Sequence, residues 1–170
     1  MPEPAFVLLG SNIAPERYLP QGIKALPSVG RVVRVSPFYQ SPAVGPRRAP
    51  DYLNAAVLLE TDLSPLEILR QLRHLEASHG RRRTADKFAP RTLDLDLCLL
   101  GAIVLDAREL TLPHPDILSQ PHVAIPLADL SPGFPHPITG ESLGAIAQRL
   151  RRGASIRQRP DLEEQQELRK

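Results

Sequence analysis

The sequence predicts an α+β domain with elements in the order strand, helix, strand, strand, helix, strand. Three observations predict it. Apolar or β-branched runs of strand length lie at 5–9, 31–39, 52–61 and 93–100. A strongly capped amphipathic helix lies between the last two runs and a weaker helical stretch between the first two. Most of the 19 prolines fall between these segments, where they stiffen loops.

Taken in order, Ala5-Phe6-Val7-Leu8-Leu9 is a continuous apolar run that stops at Gly10-Ser11-Asn12, the pattern of a buried strand ending in a tight turn. Residues 16–26 are weakly helical, with a start expected near Pro20, because proline is tolerated in the first turn and not beyond it. Arg31 to Tyr39 is rich in valine and reads as one strand. Residues 40–51 form a long loop, stiffened by prolines and carrying Arg47 and Arg48. On a strand from Tyr52 to Thr61, Tyr52 and Asn54 project from the same face.

Ser64-Pro65-Leu66-Glu67 is a capping box with proline at the first helical position. Leu66, Ile68, Leu69, Leu72 and Leu75 make the expected apolar stripe, and Gly80 is the stop. Glu76 falls in the last turn, where the helix dipole disfavours an acid. It is either a solvated accident or an acid kept beside the following basic loop. A strand at 93–100 follows, then short strands at 103–105 and 110–112, and helices at 121–130 and 142–150. This order matches a ferredoxin-like plan, with helices packed on one face of an antiparallel sheet plus short extra elements. Residues 1–150 are expected to form a single domain. In 151–170, ten of 20 residues are charged, which predicts a solvated, mobile tail.

The chemistry concentrates in residues 80–96. Arg81, Arg82, Arg83, Lys87 and Arg91 stand against Asp86, a local charge of +4 within 81–91. Asp94 and Asp96 follow at i, i+2 and share one strand face, with Leu93, Leu95, Leu97 and Leu99 on the other. Two adjacent carboxylates repel, and half-burying them is costly unless a cation joins them. Mg²⁺ suits such a pair, because it takes one or two carboxylates and completes its octahedron with water and phosphate oxygens. Guanidinium forks beside the pair suit a polyphosphate. The inferred chemistry is metal-assisted phosphoryl transfer from a nucleotide; the bland alternative is an acid pair salt-bridged to arginine. His114, held between Pro113 and Pro115, is a weaker candidate.

Composition excludes several classes. A net charge of +2 leaves no global basic field, so neither nucleic acid nor a membrane surface is an expected partner. The single cysteine, Cys98, rules out an internal disulfide framework. No apolar run approaches the ~20 residues of a membrane span, so a cytoplasmic location is expected.

These stretches resemble the 6-hydroxymethyl-7,8-dihydropterin pyrophosphokinase family. The resemblance is carried by Leu9-Gly10-Ser11-Asn12, Ser36-Pro37-Phe38-Tyr39, Pro50-Asp51-Tyr52-Leu53-Asn54-Ala55-Ala56, Leu75-Glu76 through Gly80-Arg81, Pro90-Arg91-Thr92-Leu93-Asp94-Leu95-Asp96 and Leu112-Pro113-His114-Pro115. It implies transfer of the β,γ-pyrophosphate of ATP to the pterin hydroxymethyl oxygen, in tetrahydrofolate biosynthesis. It implies two Mg²⁺ ions on Asp94 and Asp96, with Arg81 and Arg91 as catalytic cations. Nucleotide contacts would fall on Glu76, Arg83, Phe88, Arg91, Thr111 and His114. The pterin would meet Ser41, Pro42, Val44, Tyr52, Asn54 and His122, and a monomer is expected. The sequence departs from the family in three places. Gln120 stands where an arginine is expected, His122 where a phenylalanine stacks on the pterin, and Phe88 where a tryptophan is frequent. Arg82, or Arg47 and Arg48, are cations that could stand in for the missing arginine. Two alternatives remain: a catalytically impaired relative, and a ferredoxin-like RNA-binding module using exposed sheet aromatics. Against the second, aromatics are only 4% of the chain, and acids on the sheet face repel phosphate.

Overall fold

The computed structural model describes residues 1–46 and 48–167, with 164–167 as backbone only. Its strands are β1 (Glu3–Ser11), β2 (Arg31–Val35), β3 (Tyr39–Ser41), β4 (Tyr52–Thr61), β5 (Asp94–Leu100), β6 (Leu105–Asp106), β7 (Thr111–Leu112) and β8 (Arg157–Gln158). Its helices are α1 (Pro15–Ala25), α2 (Pro65–Ser78), α3 (Pro121–Leu130), α4 (Leu143–Leu150) and α5 (Pro160–Glu167). The main sheet runs β5-β1-β4-β3-β8, with β2 also paired to β4, and all its pairings are antiparallel. This is the expected ferredoxin-like core.

The sheet divides two cores. Val7, Leu9, Ala55, Val57, Leu95 and Leu97 pack with Leu19, Ile68 and Leu72 of α1 and α2. On the other face Phe6, Leu8 and Ala56 pack with Val123, Ala124 and Leu127 of α3, and with Ile146 of α4. The two crossover helices lie on one face as predicted. The added pair α3–α4 covers part of the other face, which removes the open platform an RNA-binding sheet would need.

Several elements depart from the sequence expectation. Helix α1 begins at Pro15, not near Pro20, and carries Pro20 inside it. Pro20 lacks only the N–H that would reach Glu16, one lost bond near the start of a helix anchored by buried Leu19. The valine-rich run is two strands, broken at Ser36-Pro37-Phe38. Ser36 replaces the ladder there: its N–H donates to the Ala56 carbonyl, and its Oγ accepts from the Ala56 N–H, both at 2.8 Å. The short strand expected at 103–105 lies instead at Leu105–Asp106, paired with β7. In α2, Leu66 is exposed, and the buried positions are Ile68, Leu72, Leu75 and Glu76.

The all-leucine face of β5 also breaks. Phe6 opposes Leu99 and Val7 opposes Leu97, so Cys98 is the extra residue of a bulge. Leu93, Leu95 and Leu97 face α1 and α2, while Leu99 turns to the α3 side. The Cys98 carbonyl accepts the His114 N–H at 2.9 Å, which brings the His114 segment against β5.

The tail expected at 151–170 is structured over much of its length. Strand β8 pairs with β3, and Leu162 is buried in the α1–α2 core. Charge density misled here, because one apolar residue and backbone pairing suffice to dock a short segment. Residues 168–170 lie outside the described residues. Among the described residues, no helix is long and apolar enough to cross a membrane.

Both predicted caps form: Ser64 Oγ accepts from Glu67 N–H at 3.3 Å, and Glu67 Oε2 accepts from Ser64 N–H at 2.7 Å. Replacing Leu72, fully buried between α2 and the sheet, by alanine should cost about 2–5 kcal/mol in urea unfolding at constant slope.

Candidate active site

Three strands place the site in one row. Asp94 opposes Gly10 across β5–β1, and Gly10 opposes Asn54 across β1–β4. Opposed residues share a face, so the acid pair and the Asn54 amide look the same way from strands about 10 Å apart. Gly10 keeps the trough between them open: a Cβ there would lie 3.2 Å from Asn54 Oδ1 and 3.4 Å from Tyr52 Cδ1. The resulting cleft has a volume of about 210 Å³.

One wall and the floor carry Ser41, Pro42, Val44, Tyr52 and Asn54. Asn54 is 3% exposed, and its Nδ2 donates to Ser41 Oγ at 2.8 Å, which fixes the amide's orientation. The opposite wall carries Asp94, Asp96, His114 and His122, with Phe88 and Arg91 at the mouth. Phe88 also meets the opposite loop, since a Cβ on Gly45 (φ +141°) would sit 2.6 Å from its ring.

The two aspartates differ sharply in environment. Asp94 Oδ1 accepts from Arg81 at 2.9 Å and Oδ2 from Arg91 at 3.0 Å. Burial works to raise its pKa, but Arg91 and Arg81 outweigh it and hold the carboxyl below the ordinary range. Among the described residues, Asp96 has no ion pair with a protein cation. Burial, then the charges of Asp94 and Glu76, push its carboxyl well above the ordinary range. The salt-bridged reading therefore fits Asp94, and the metal reading is left with Asp96 and the outer face of Asp94.

A hard divalent cation fits what these residues lack. It would neutralise the repulsion at Asp96, and its further ligands would be phosphate and water oxygens. Among the described residues, no group of three or more His, Cys, Asp and Glu side chains is placed to hold a metal ion, so the protein supplies no complete metal cage.

Glu76 is neither solvated nor open to a ligand. It is 1% exposed, and both oxygens are engaged. Oε1 accepts from Arg73 at 3.1 Å and Arg83 at 2.8 Å; Oε2 accepts from Arg81 at 3.2 Å and the Leu95 N–H at 2.9 Å. It fastens the basic loop to the edge of β5. The end of α2 feeds this arrangement. Gly80 (φ +80°) donates to the Ala77 carbonyl and Arg81 N–H to the Glu76 carbonyl, the helix stop expected at Gly80.

Arg83 does not line the main cleft. It lines an adjoining basic recess of about 130 Å³ with Arg81, Arg82, Lys87 and Arg91. Thr111, exposed on β7, lines neither space. Of the cations considered as substitutes for the arginine missing at Gln120, Arg82 lies in the recess, exposed Arg48 lines neither space, and Arg47 lies outside the described residues.

Sequence reasoning missed two contributors. Asp116 lines the cleft beside His114, whose Nδ1 accepts the Asp116 N–H at 3.1 Å. Its only signal was its place two residues after His114. Asn12 is buried at the foot of both loops. Its Oδ1 accepts from Arg91 N–H at 2.7 Å, and its Nδ2 donates to the Pro50 carbonyl at 3.3 Å.

The chain is thus an α+β domain of ferredoxin-like plan, with an acid pair on one wall of a narrow cleft and a basic recess beside it. Residues 6–132 match the family model described as 7,8-dihydro-6-hydroxymethylpterin-pyrophosphokinase, and the chain belongs to that family. It is 42% identical over 142 residues to the 2-amino-4-hydroxy-6-hydroxymethyldihydropteridine pyrophosphokinase of Synechocystis sp., covering 82% of this chain and 72% of that one. The enzymes of the same name from Pseudomonas aeruginosa and Haemophilus influenzae are 40% and 38% identical, each over 75% of this chain and 80% and 81% of their own lengths. Among solved structures, wild-type Plasmodium falciparum HPPK-DHPS with pteroate aligns at a TM-score of 0.66 and 12% identity. That alignment covers 88% of this chain and 42% of that one, a likeness of fold.

Two predictions follow from these environments. Glu76→Ala leaves the buried Leu95 N–H without its acceptor and takes one of two carboxylate partners from Arg81, and should lower unfolding stability by about 1–3 kcal/mol. His114, His122 and His136 all have pKa values lowered chiefly by burial. The unfolded chain therefore binds more protons below ~6.5, so stability is full above that pH and is lost as pH falls through it. His122→Phe should flatten the fall in melting temperature between about pH 7 and 5; an unchanged slope would remove His122 from this linkage.

Proposed function

We propose that this protein transfers a pyrophosphoryl group from ATP to the hydroxymethyl oxygen of 6-hydroxymethyl-7,8-dihydropterin, giving the pterin diphosphate and AMP in folate biosynthesis. One observation in the cleft carries the assignment of substrates to its two sides. The row Asp94–Gly10–Asn54 sets an acid pair and a buried, oriented amide on one sheet face, with an open trough between them.

The pterin takes the Asn54 side. Its flat ring lies against Tyr52, and its polar edge meets Asn54 and groups at Ser41, Pro42 and Val44. Burial raises the Tyr52 pKa, so this side chain stays a neutral stacking phenol. His122 lies across the cleft in place of a phenylalanine, and burial holds its pKa down, which favours a neutral imidazole against the ring.

ATP takes the arginine side. Arg83 in the recess and Arg91 at its border grip the triphosphate, while Arg81 and Arg91 keep Asp94 ionised and oriented. Asp94 and Asp96 would hold two Mg²⁺ ions, which supply neutralisation of phosphate charge and alignment of the two substrates. The hydroxymethyl oxygen forms a bond to the β-phosphorus as the bond from that phosphorus to the α,β-bridging oxygen breaks; AMP leaves, and the hydroxyl proton is released to solvent. Phe88 and Val44, on facing loops at the mouth, exclude water as a competing acceptor. Glu76, assigned to ATP by resemblance, acts here by positioning Arg81 and Arg83. Thr111 would reach ATP only in a nucleotide extending beyond both spaces.

Incubation with ATP, Mg²⁺ and the pterin should yield AMP rather than ADP; ADP alone would contradict the reading. Asp96→Ala should lower kcat by at least ~100-fold with the fold intact by circular dichroism. Asn54→Ala should weaken pterin binding about tenfold or more and leave ATP binding near wild type. Equal loss for both substrates would refute Asn54 as the edge reader.

A further inference from the structure

The C-terminal segment lies outside the stretch that matches the family model, yet it is docked against the pterin side of the cleft. Strand β8 covers the outer edge of β3, pairing Arg157 with Gln40 and Gln158 with Tyr39. Both backbone groups of buried Phe38 are taken by this segment. The Arg159 N–H donates to its carbonyl at 2.7 Å, and its N–H donates to Glu163 Oε1 at 2.8 Å. Leu162 anchors the segment in the core at 7% exposure.

The segment also reaches the loop through one side chain. Gln40 Oε1 accepts from Arg159 Nη1 at 2.7 Å and from Arg157 Nη2 at 3.3 Å. The other end of the same amide, Nε2, donates to Asp51 Oδ2 at 2.8 Å. Gln40 and Asp51 immediately precede Ser41 and Tyr52, which face each other in the β3–β4 pairing, so the bond runs diagonally from the end of β3 to the last residue of the loop. The amide therefore closes the neck of the 42–51 loop from outside the cleft. Its acceptor end is fixed by two arginines, so its donor end must point at Asp51. Arg159 is itself held by a two-pronged pair with Asp161, at 3.0 and 2.9 Å.

We propose that the C-terminal segment, acting through Arg159, Gln40 and Asp51, is a positioning device that sets the spacing of Ser41–Pro42 and Tyr52 and so tunes affinity for the pterin. The inference rests on the assignment of that wall to the pterin. None of the three side chains touches the trough, so they act through the wall and are not catalytic residues. The Arg81 side chain is held by Glu76 and Asp94, and that of Arg91 by Asp94 and the Lys87 carbonyl; none of these contacts runs through Gln40 or Arg159, so ATP affinity should be indifferent to the device.

The test uses the full chain and two readouts: steady-state AMP formation, and equilibrium binding of the pterin by fluorescence with a non-hydrolysable ATP analogue and Mg²⁺. Gln40→Glu keeps an acceptor for Arg157 and Arg159, but sets a carboxylate against Asp51. It should raise the pterin KM and Kd roughly tenfold, with the ATP KM within about twofold and kcat near wild type. Adding Asp51→Asn restores a donor across the neck and should bring pterin affinity back to within about threefold of wild type. Arg159→Ala should reproduce the single-variant defect at an unchanged melting temperature. Wild-type pterin affinity in Gln40→Glu and Arg159→Ala, equal losses for ATP and pterin, or no recovery in the double variant would each overturn the proposal. Should the wild-type chain form no AMP, the pyrophosphokinase reading fails on the first readout, and the binding readout still decides the positioning role.

Discussion

Two carboxylates at i, i+2 on one strand face cannot both ionise cheaply in a half-buried cleft, and the architecture of the site answers that constraint. Asp94 receives two guanidinium partners, Arg81 and Arg91, and is held charged. Asp96 receives none and is held towards protonation. The asymmetry leaves the protein with a negative centre it compensates and another it does not. On the proposed reading, a cation from solution, arriving with phosphate oxygens, would complete the second, and metal and nucleotide would bind best together, because each supplies what the other needs.

The arginines must be placed before any of this works, and that task falls to Glu76. A single buried carboxylate accepts from Arg73, Arg81, Arg83 and the Leu95 N–H. It thereby joins α2, the basic loop and β5. Its replacement is costly because three cations and a backbone donor depend on it. Asn12 serves a parallel role from the turn after β1, tying the Arg91 backbone to Pro50 at the foot of the opposite loop. The two loops that face each other across the cleft thus share Asn12 as an anchor at their feet.

Much of this was legible in the residues themselves. Period-two and apolar runs located β1, β4 and β5, and the Ser64–Glu67 pair located α2, because those signals are local. The Asp94/Asp96 face, the Arg cluster and the Tyr52/Asn54 pair were legible for the same reason. What was not legible depended on contacts distant in sequence. The bulge at Cys98 that turns Leu99 over is set by the register against β1. The burial of Glu76 is set by arginines and a strand end that arrive later in the chain. The docking of 157–163 depends on an open β3 edge and a place for Leu162 in the core, neither visible in a charge-rich stretch. Asp116 and Asn12 carry no spacing signal, and their roles come only from the folded arrangement.

The ionisation of Asp96 is the property on which the site's electrostatics turn. Carbon-13 NMR of labelled aspartate carboxyls, assigned with Asp96→Asn, would follow its titration in the free protein and with Mg²⁺ and α,β-methylene-ATP. The account predicts a carboxyl that titrates well above an ordinary aspartate alone and falls to or below the ordinary range, ~3.9, when metal and nucleotide are bound. An ordinary titration in the free protein, or one that metal and nucleotide leave unmoved, would contradict it.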